Sequence, residues 1–114
     1  MKIDREYVHK KYGGHCAYCG RVITIKEMQV DHFIPKCQSR ITDINTGDMI
    51  NLMPSCRSCN HYKRASPIEY FRELLVTIHT RIAKIYIVKV AINFGIIQFK
   101  SFDGEFYYEK VDKG

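Results

Sequence analysis

The sequence has no apolar run of the roughly 18 residues that a membrane-spanning helix needs. Its first residues, Met1-Lys2-Ile3-Asp4-Arg5, lack the apolar core of a secretory signal. It has no internal repeat, no low-complexity tract, no linker and no stretch of disordered composition. These absences exclude a membrane protein and a flexible tether, and lead us to expect a soluble cytoplasmic chain. With 114 residues there is matter for a single domain, 1–114, with a small core. Little is left for a separate sequence-reading domain.

Acidic residues are also in deficit, 12 Asp and Glu against 18 Lys and Arg, for a net charge of +6. The imbalance is local. Residues 1–64 hold 11 basic and 6 acidic side chains, whereas residues 65–114 hold 7 and 6. The first half is thus where a polyanion would be drawn. A net charge bears on association and does not define a site.

What is present is a cysteine pattern. Cys16/Cys19 and Cys56/Cys59 form two C-x-x-C pairs, and Cys37 stands apart. In a cytosolic chain such pairs point to metal before disulfide. A redox C-x-x-C would need one pair beside a βαβ unit, which is missing here. Four thiolates match the tetrahedral preference of Zn²⁺, and each pair reaches one ion from a single turn. All four positions of such a structural zinc are filled by protein, so the ion ties residue 16 to residue 59 and does no chemistry. Cys37 reads as a free or partly buried thiol.

The elements around the pairs can be sketched. Residues 1–12 suit a short helix with Asp4 as N-cap, broken at Gly13-Gly14. Residues 21–30 fit a strand or a short helix leading into Asp31-His32, stopped at Pro35. Residues 36–50 read as a polar surface loop with Asn45 and Gly47 as turn formers. Order resumes at Asn51, and a helix begins near Ser55, with Cys56, Cys59, Asn60 and Lys63 along its turns. Ser66-Pro67-Ile68-Glu69 is a helix start with a capping box. The stripe Ile68, Phe71, Leu75, Ile78, Ile82, Ile85 then predicts one long amphipathic helix to about Asn93, stopped by Gly95. Ile85 to Ile92 is also rich in β-branched residues and fits a strand. Phe99 to Tyr108 reads as a β-hairpin about Asp103-Gly104.

Three stretches carry a resemblance: Val30-Asp31-His32-Phe33-Ile34-Pro35, Asn51-Leu52-Met53-Pro54, and Cys56-Arg57-Ser58-Cys59-Asn60-His61-Tyr62-Lys63. In order and spacing, inside the two cysteine pairs, they resemble the HNH endonuclease family. The match covers residues 13–64. It implies an α+β fold, a small ββα-metal finger with a four-cysteine zinc site, followed here by the long helix and hairpin (66–110). The resemblance also implies a bacterial or phage origin. It implies that His32 is the general base and that Asp31 and Asn60 hold a catalytic Mg²⁺ or Mn²⁺. Asn51 would orient His32 or its loop, and Lys63 would bind a substrate phosphate. The chemistry asks for such a set. Phosphodiester hydrolysis needs an activated water, a clamp on the phosphate and charge relief for the leaving oxygen. Carboxylate and carboxamide oxygens suit a hard cation, and a neutral imidazole suits proton abstraction near pH 7.

Taken singly, each residue has a plainer role. Asn51 suits a turn, Asn60 the end of a zinc knuckle, and His9, His15 and His79 structure or surface. His61 is turned about 100° from Asn60 on a helix and is left out of the catalytic set. The expectation is a metal-dependent DNA endonuclease or nickase making mainly phosphate-backbone contacts, with a homodimer or partner protein supplying specificity. The alternative is a non-catalytic zinc-ribbon nucleic-acid-binding or adaptor module, which needs neither Asp31-His32 nor Asn60.

Overall fold

The computed structural model describes residues 3–34 and 49–113. The expectations for Cys37 and for most of the 36–50 loop lie outside the described residues. The chain divides into two compact units, Met1–Ile68 with Glu105–Gly114, and Glu69–Gly104.

The first unit begins with helix α1, Arg5–Lys10, where the Asp4 carboxylate accepts a hydrogen bond from the Tyr7 amide at 3.2 Å. Gly13 and Gly14 take positive φ and end that segment, as no side-chain-bearing residue does readily. A bridge between His15 and Val22 then closes the turn that carries Cys16 and Cys19. Strand β1, Gln29–His32, pairs antiparallel with β2, Leu52–Ser55, in a register that sets Asp31 opposite Met53 and His32 opposite Leu52. Helix α2, Arg57–Lys63, follows at once, with Cys56 as its N-cap, and packs against β1. This is a small α+β arrangement built on a two-stranded antiparallel ribbon. The Ala17 amide donates to the Pro54 carbonyl at 2.9 Å, joining the cysteine turn to β2. Lys11 fastens α1 to the same strand, its ammonium donating to the carbonyls of Met49, Ile50 and Leu52. Val8, Tyr18, Ile23, Met28, Leu52 and Phe106 are buried.

The single long helix expected after Pro67 is three helices, α3, Ile68–Val76, α4, Ile78–Ile82, and α5, Tyr86–Asn93, which from Glu69 on belong to the second unit. Thr77 interrupts the first junction. Its hydroxyl donates to the carbonyls of Glu73 and Leu74, competing with the helical ladder. Ile85 breaks the second by taking an extended conformation, φ −73° and ψ 129°. Glu69 pairs with Arg72 at 3.0 Å. The stop is where the sequence put it, with α5 ending at Asn93 and Gly95 at φ +72°.

The hairpin expected over Phe99–Tyr108 is absent. Residues 99–106 form no strand, and Tyr107–Lys113 is helix α6, in the first unit. Its first turn explains the difference. The Tyr107 and Tyr108 amides donate to the carbonyls of Tyr18 and Ala17 at 3.0 and 2.8 Å, and the Phe106 amide donates to the Glu109 carboxylate at 2.9 Å. The donors left free at a helix start are thereby satisfied from the cysteine turn and from within. No helix among the described residues is long and apolar enough to cross a membrane.

Candidate functional site

The ligand atoms of Cys16, Cys19, Cys56 and Cys59 all lie within 4.8 Å of one another. Cys19 and Cys56 sulfurs are 3.8 Å apart. A tetrahedron with metal–sulfur bonds of about 2.3 Å has edges of roughly 3.8 Å. Hydrogen bonds from Cys19 and Cys59 hold the Cys16 thiol far below its usual range. The shared hydrogen bond with Cys16 pushes Cys19 up to about 11, and bonds with Cys16 and Cys19 push Cys59 up as well. Four thiolates cannot coexist bare at this spacing, so the cluster suits a divalent soft cation. The donor set fits a structural zinc.

Beside this cluster lies a buried polar group. The Lys63 ammonium stands 3.0 Å from Asp31 Oδ2, with side chains 0% and 6% exposed. The Tyr18 hydroxyl donates to the same oxygen at 2.5 Å. Burial, and then the charge of Asp31, push the Tyr18 pKa up, so the phenol remains a donor. Among the described residues, nothing partners the other carboxylate oxygen, Oδ1. Lys63, expected to meet a substrate phosphate, points inward, and its ammonium also lies 3.4 Å from the His32 carbonyl.

His32 ends β1 and is half-buried. The bend after it is held by Asn51, itself buried. The Asn51 side chain accepts from the Ile34 amide at 2.8 Å and donates to the Ile34 carbonyl at 3.1 Å, while its backbone carbonyl accepts from the Phe33 amide at 2.8 Å. Asn51 therefore acts on the backbone beyond His32. Asn60 lies mid-helix on α2, one turn before Lys63, and its carboxamide has no partner among the described residues. His61 is exposed. His9 Nε2 donates to the Ile23 carbonyl, and His15 Nδ1 to that of Gly20, with its ring stacked on Tyr107. Both are structural.

Sequence reasoning passed over Tyr18, whose position inside a C-x-x-C turn signals only that it faces inward. It also passed over a cleft of about 310 Å³ lined by Arg21, Lys26 and Arg57, with Gln29 and Ser58 among the other walls. None of the three cations has an acidic partner among the described residues. Glu27 is the one acid in the cleft, and its carboxylate accepts from the Thr24 amide.

A two-stranded ribbon, a following helix and four converging thiols make a small α+β arrangement whose cysteine cluster is consistent with a zinc site. Residues 16–66 match the family model described as HNH endonuclease. The match supports a nuclease-type function. No curated protein matches the chain. Among solved structures, it is similar to the crystal structure of the Type II-C Cas9 enzyme from Actinomyces naeslundii, at 26% identity and a TM-score of 0.48. That alignment covers 60% of this chain and only 7% of the much longer enzyme.

Proposed function

We propose that the chain is a metal-dependent DNA endonuclease or nickase, with His32 as general base and a divalent cation, Mg²⁺ or Mn²⁺, held by Asp31 and Asn60. The observation that carries this reading is a pair of oxygen donors that have no partner among the described residues. Asp31 offers Oδ1 from β1, and Asn60 offers a carboxamide from α2, which lies against that strand. Carboxylate and carboxamide oxygens are the donors a hard cation takes. When bound, the cation supplies charge relief for the leaving oxygen and orients the phosphate.

The chain's own residues do the rest. His32 takes the proton from the attacking water. Asn51 fixes the bend that follows it. Tyr18 and Lys63 hold the plane of the Asp31 carboxylate. The phosphate contacts fall to Arg21, Lys26 and Arg57, which are exposed and carry no acidic partner among the described residues. One site nicks one strand; cutting both strands requires a second copy or a second visit.

Supercoiled plasmid incubated with purified protein and Mg²⁺ or Mn²⁺ is expected to be nicked or linearised, and EDTA to stop the reaction. His32→Ala is expected to keep its fold and DNA binding while cleavage falls by at least roughly 10²-fold, as for loss of a general base. The ends are expected to be 5′-phosphate and 3′-hydroxyl. Undiminished cleavage by His32→Ala would remove this mechanism. The salt bridge of Asp31 with Lys63 favours a second reading, a zinc-bound nucleic-acid-binding module in which that pair is purely structural. DNA binding without cleavage under any metal would select it.

A further inference from the structure

We infer that Lys63 is the resident counter-ion of Asp31, and that the site consequently takes up its divalent cation together with a substrate phosphate rather than before it. The inference rests on the nuclease reading and adds an order to it.

Lys63 is the last residue of α2 and is wholly buried. An ammonium removed from water needs a charged partner close by, and Asp31 at 3.0 Å is that partner. A phosphate could reach Lys63 only by taking the Asp31 carboxylate's place in the interior. The pair is therefore part of the finger's architecture. Tyr18 adds a second donor on the same oxygen, so Oδ2 is spoken for twice while Oδ1 has no partner among the described residues. The carboxylate can then ligate through one oxygen only.

Charge decides the consequence. Asp31 contributes −1 and Lys63 +1, whereas the Asn60 carboxamide contributes nothing. Among the described residues no trio of acidic, histidine or cysteine side chains gathers at Asp31; the four zinc-site cysteines form the one such cluster. The affinity of an oxygen site for a hard dication follows the number of charged ligands. Among the described residues the local sum is thus zero, and a site so charged holds such an ion poorly. A scissile phosphate brings both the missing negative charge and further oxygens. By linkage, DNA then tightens the cation by the same factor by which the cation tightens DNA.

The test is Mn²⁺ binding, followed through the electron paramagnetic resonance signal of the free ion. It uses zinc-loaded His32→Ala protein, which consumes its substrate at least about a hundredfold more slowly, with and without duplex DNA. DNA alone and the Asp31→Asn, His32→Ala double variant serve as blanks. Saturating DNA is expected to tighten Mn²⁺ by at least about tenfold, and saturating Mn²⁺ to tighten DNA equally. Adding Lys63→Gln is expected to tighten Mn²⁺ without DNA and to shrink the effect of DNA. Tyr18→Phe leaves the charge sum alone and is expected to leave the linkage in place. If Lys63→Gln does not fold, the reciprocity measured with Lys63 intact still decides the matter. Mn²⁺ bound equally well with and without DNA would overturn the inference and leave the nuclease reading standing. No Mn²⁺ bound in either state would bring down both.

Discussion

Tyr18 and Lys63 illustrate how much of this site rests on side chains that never meet solvent. Both converge on one oxygen of Asp31, so removing either leaves a buried carboxylate short of a donor. Tyr18→Phe deletes a hydrogen bond to a charged group and is expected to lower stability by about 2 kcal/mol. Thermal unfolding of the zinc-loaded protein reads this as a drop in Tm. Neither role could be read from the sequence. Lysine is among the residues least often buried, and the family resemblance gives Lys63 a substrate phosphate. The partner that turns it inward lies 32 positions earlier, and proximity of that kind leaves no local signal. Asp31, His32, Asn51 and Asn60 come to notice through the resemblance to the HNH endonuclease family, and the structure sets the four on the ribbon, the turn leading into β2, or α2.

At the level of elements, short-range chemistry fixed what could be foreseen. Asp4 caps α1, Gly13-Gly14 ends its segment, and Cys56 opens α2, each through contacts within a few residues. The stripe after Pro67 identified helix but not its breaks, because a hydroxyl at Thr77 and one extended residue at Ile85 leave the apolar period untouched. α6 was missed for the opposite reason. Its aromatic run imitates a strand, and its helical start depends on carbonyls some ninety residues away. That docking makes Gly20 critical. At φ +83°, an added Cβ would lie 2.7 Å from the Tyr107 ring. Gly20→Ala is expected to destabilise the first unit by roughly 1–3 kcal/mol. It is also expected to speed zinc loss to a chelator, because α6 braces the turn holding Cys16 and Cys19. Unchanged chelation kinetics would show that α6 is not a brace.

For the whole molecule, metal and charge set the terms. A small finger with a two-stranded ribbon has little core, so the four-thiolate site should contribute much of its folding free energy. Purified protein is expected to carry one zinc per chain. Removing it, or replacing Cys16 or Cys59 by Ser, is expected to collapse the circular-dichroism spectrum and the cooperative melt; folded protein without metal would contradict the assignment. DNA affinity is expected to fall steeply with salt. Arg21→Ala, Lys26→Ala and Arg57→Ala should each reduce the slope of log K against log salt by about 1, with similar losses on any sequence. A titration by fluorescence anisotropy measures this, and an unaltered slope would remove the cleft as a contact.

The seating of α6 on Ala17 and Tyr18 has a consequence for how the protein comes into being. The ribbon, α2 and all four cysteines are complete once residue 68 has been synthesised, yet the carbonyls of the cysteine turn wait for residues 107 and 108. A nascent chain still tethered at the ribosome therefore has a finger that is assembled but not locked. Polymerising the intervening second unit imposes a delay between the two states. A cell making this protein would have the finger gain this last brace only after residues 107 and 108 have been added, away from the moment when the finger first closes on its metal.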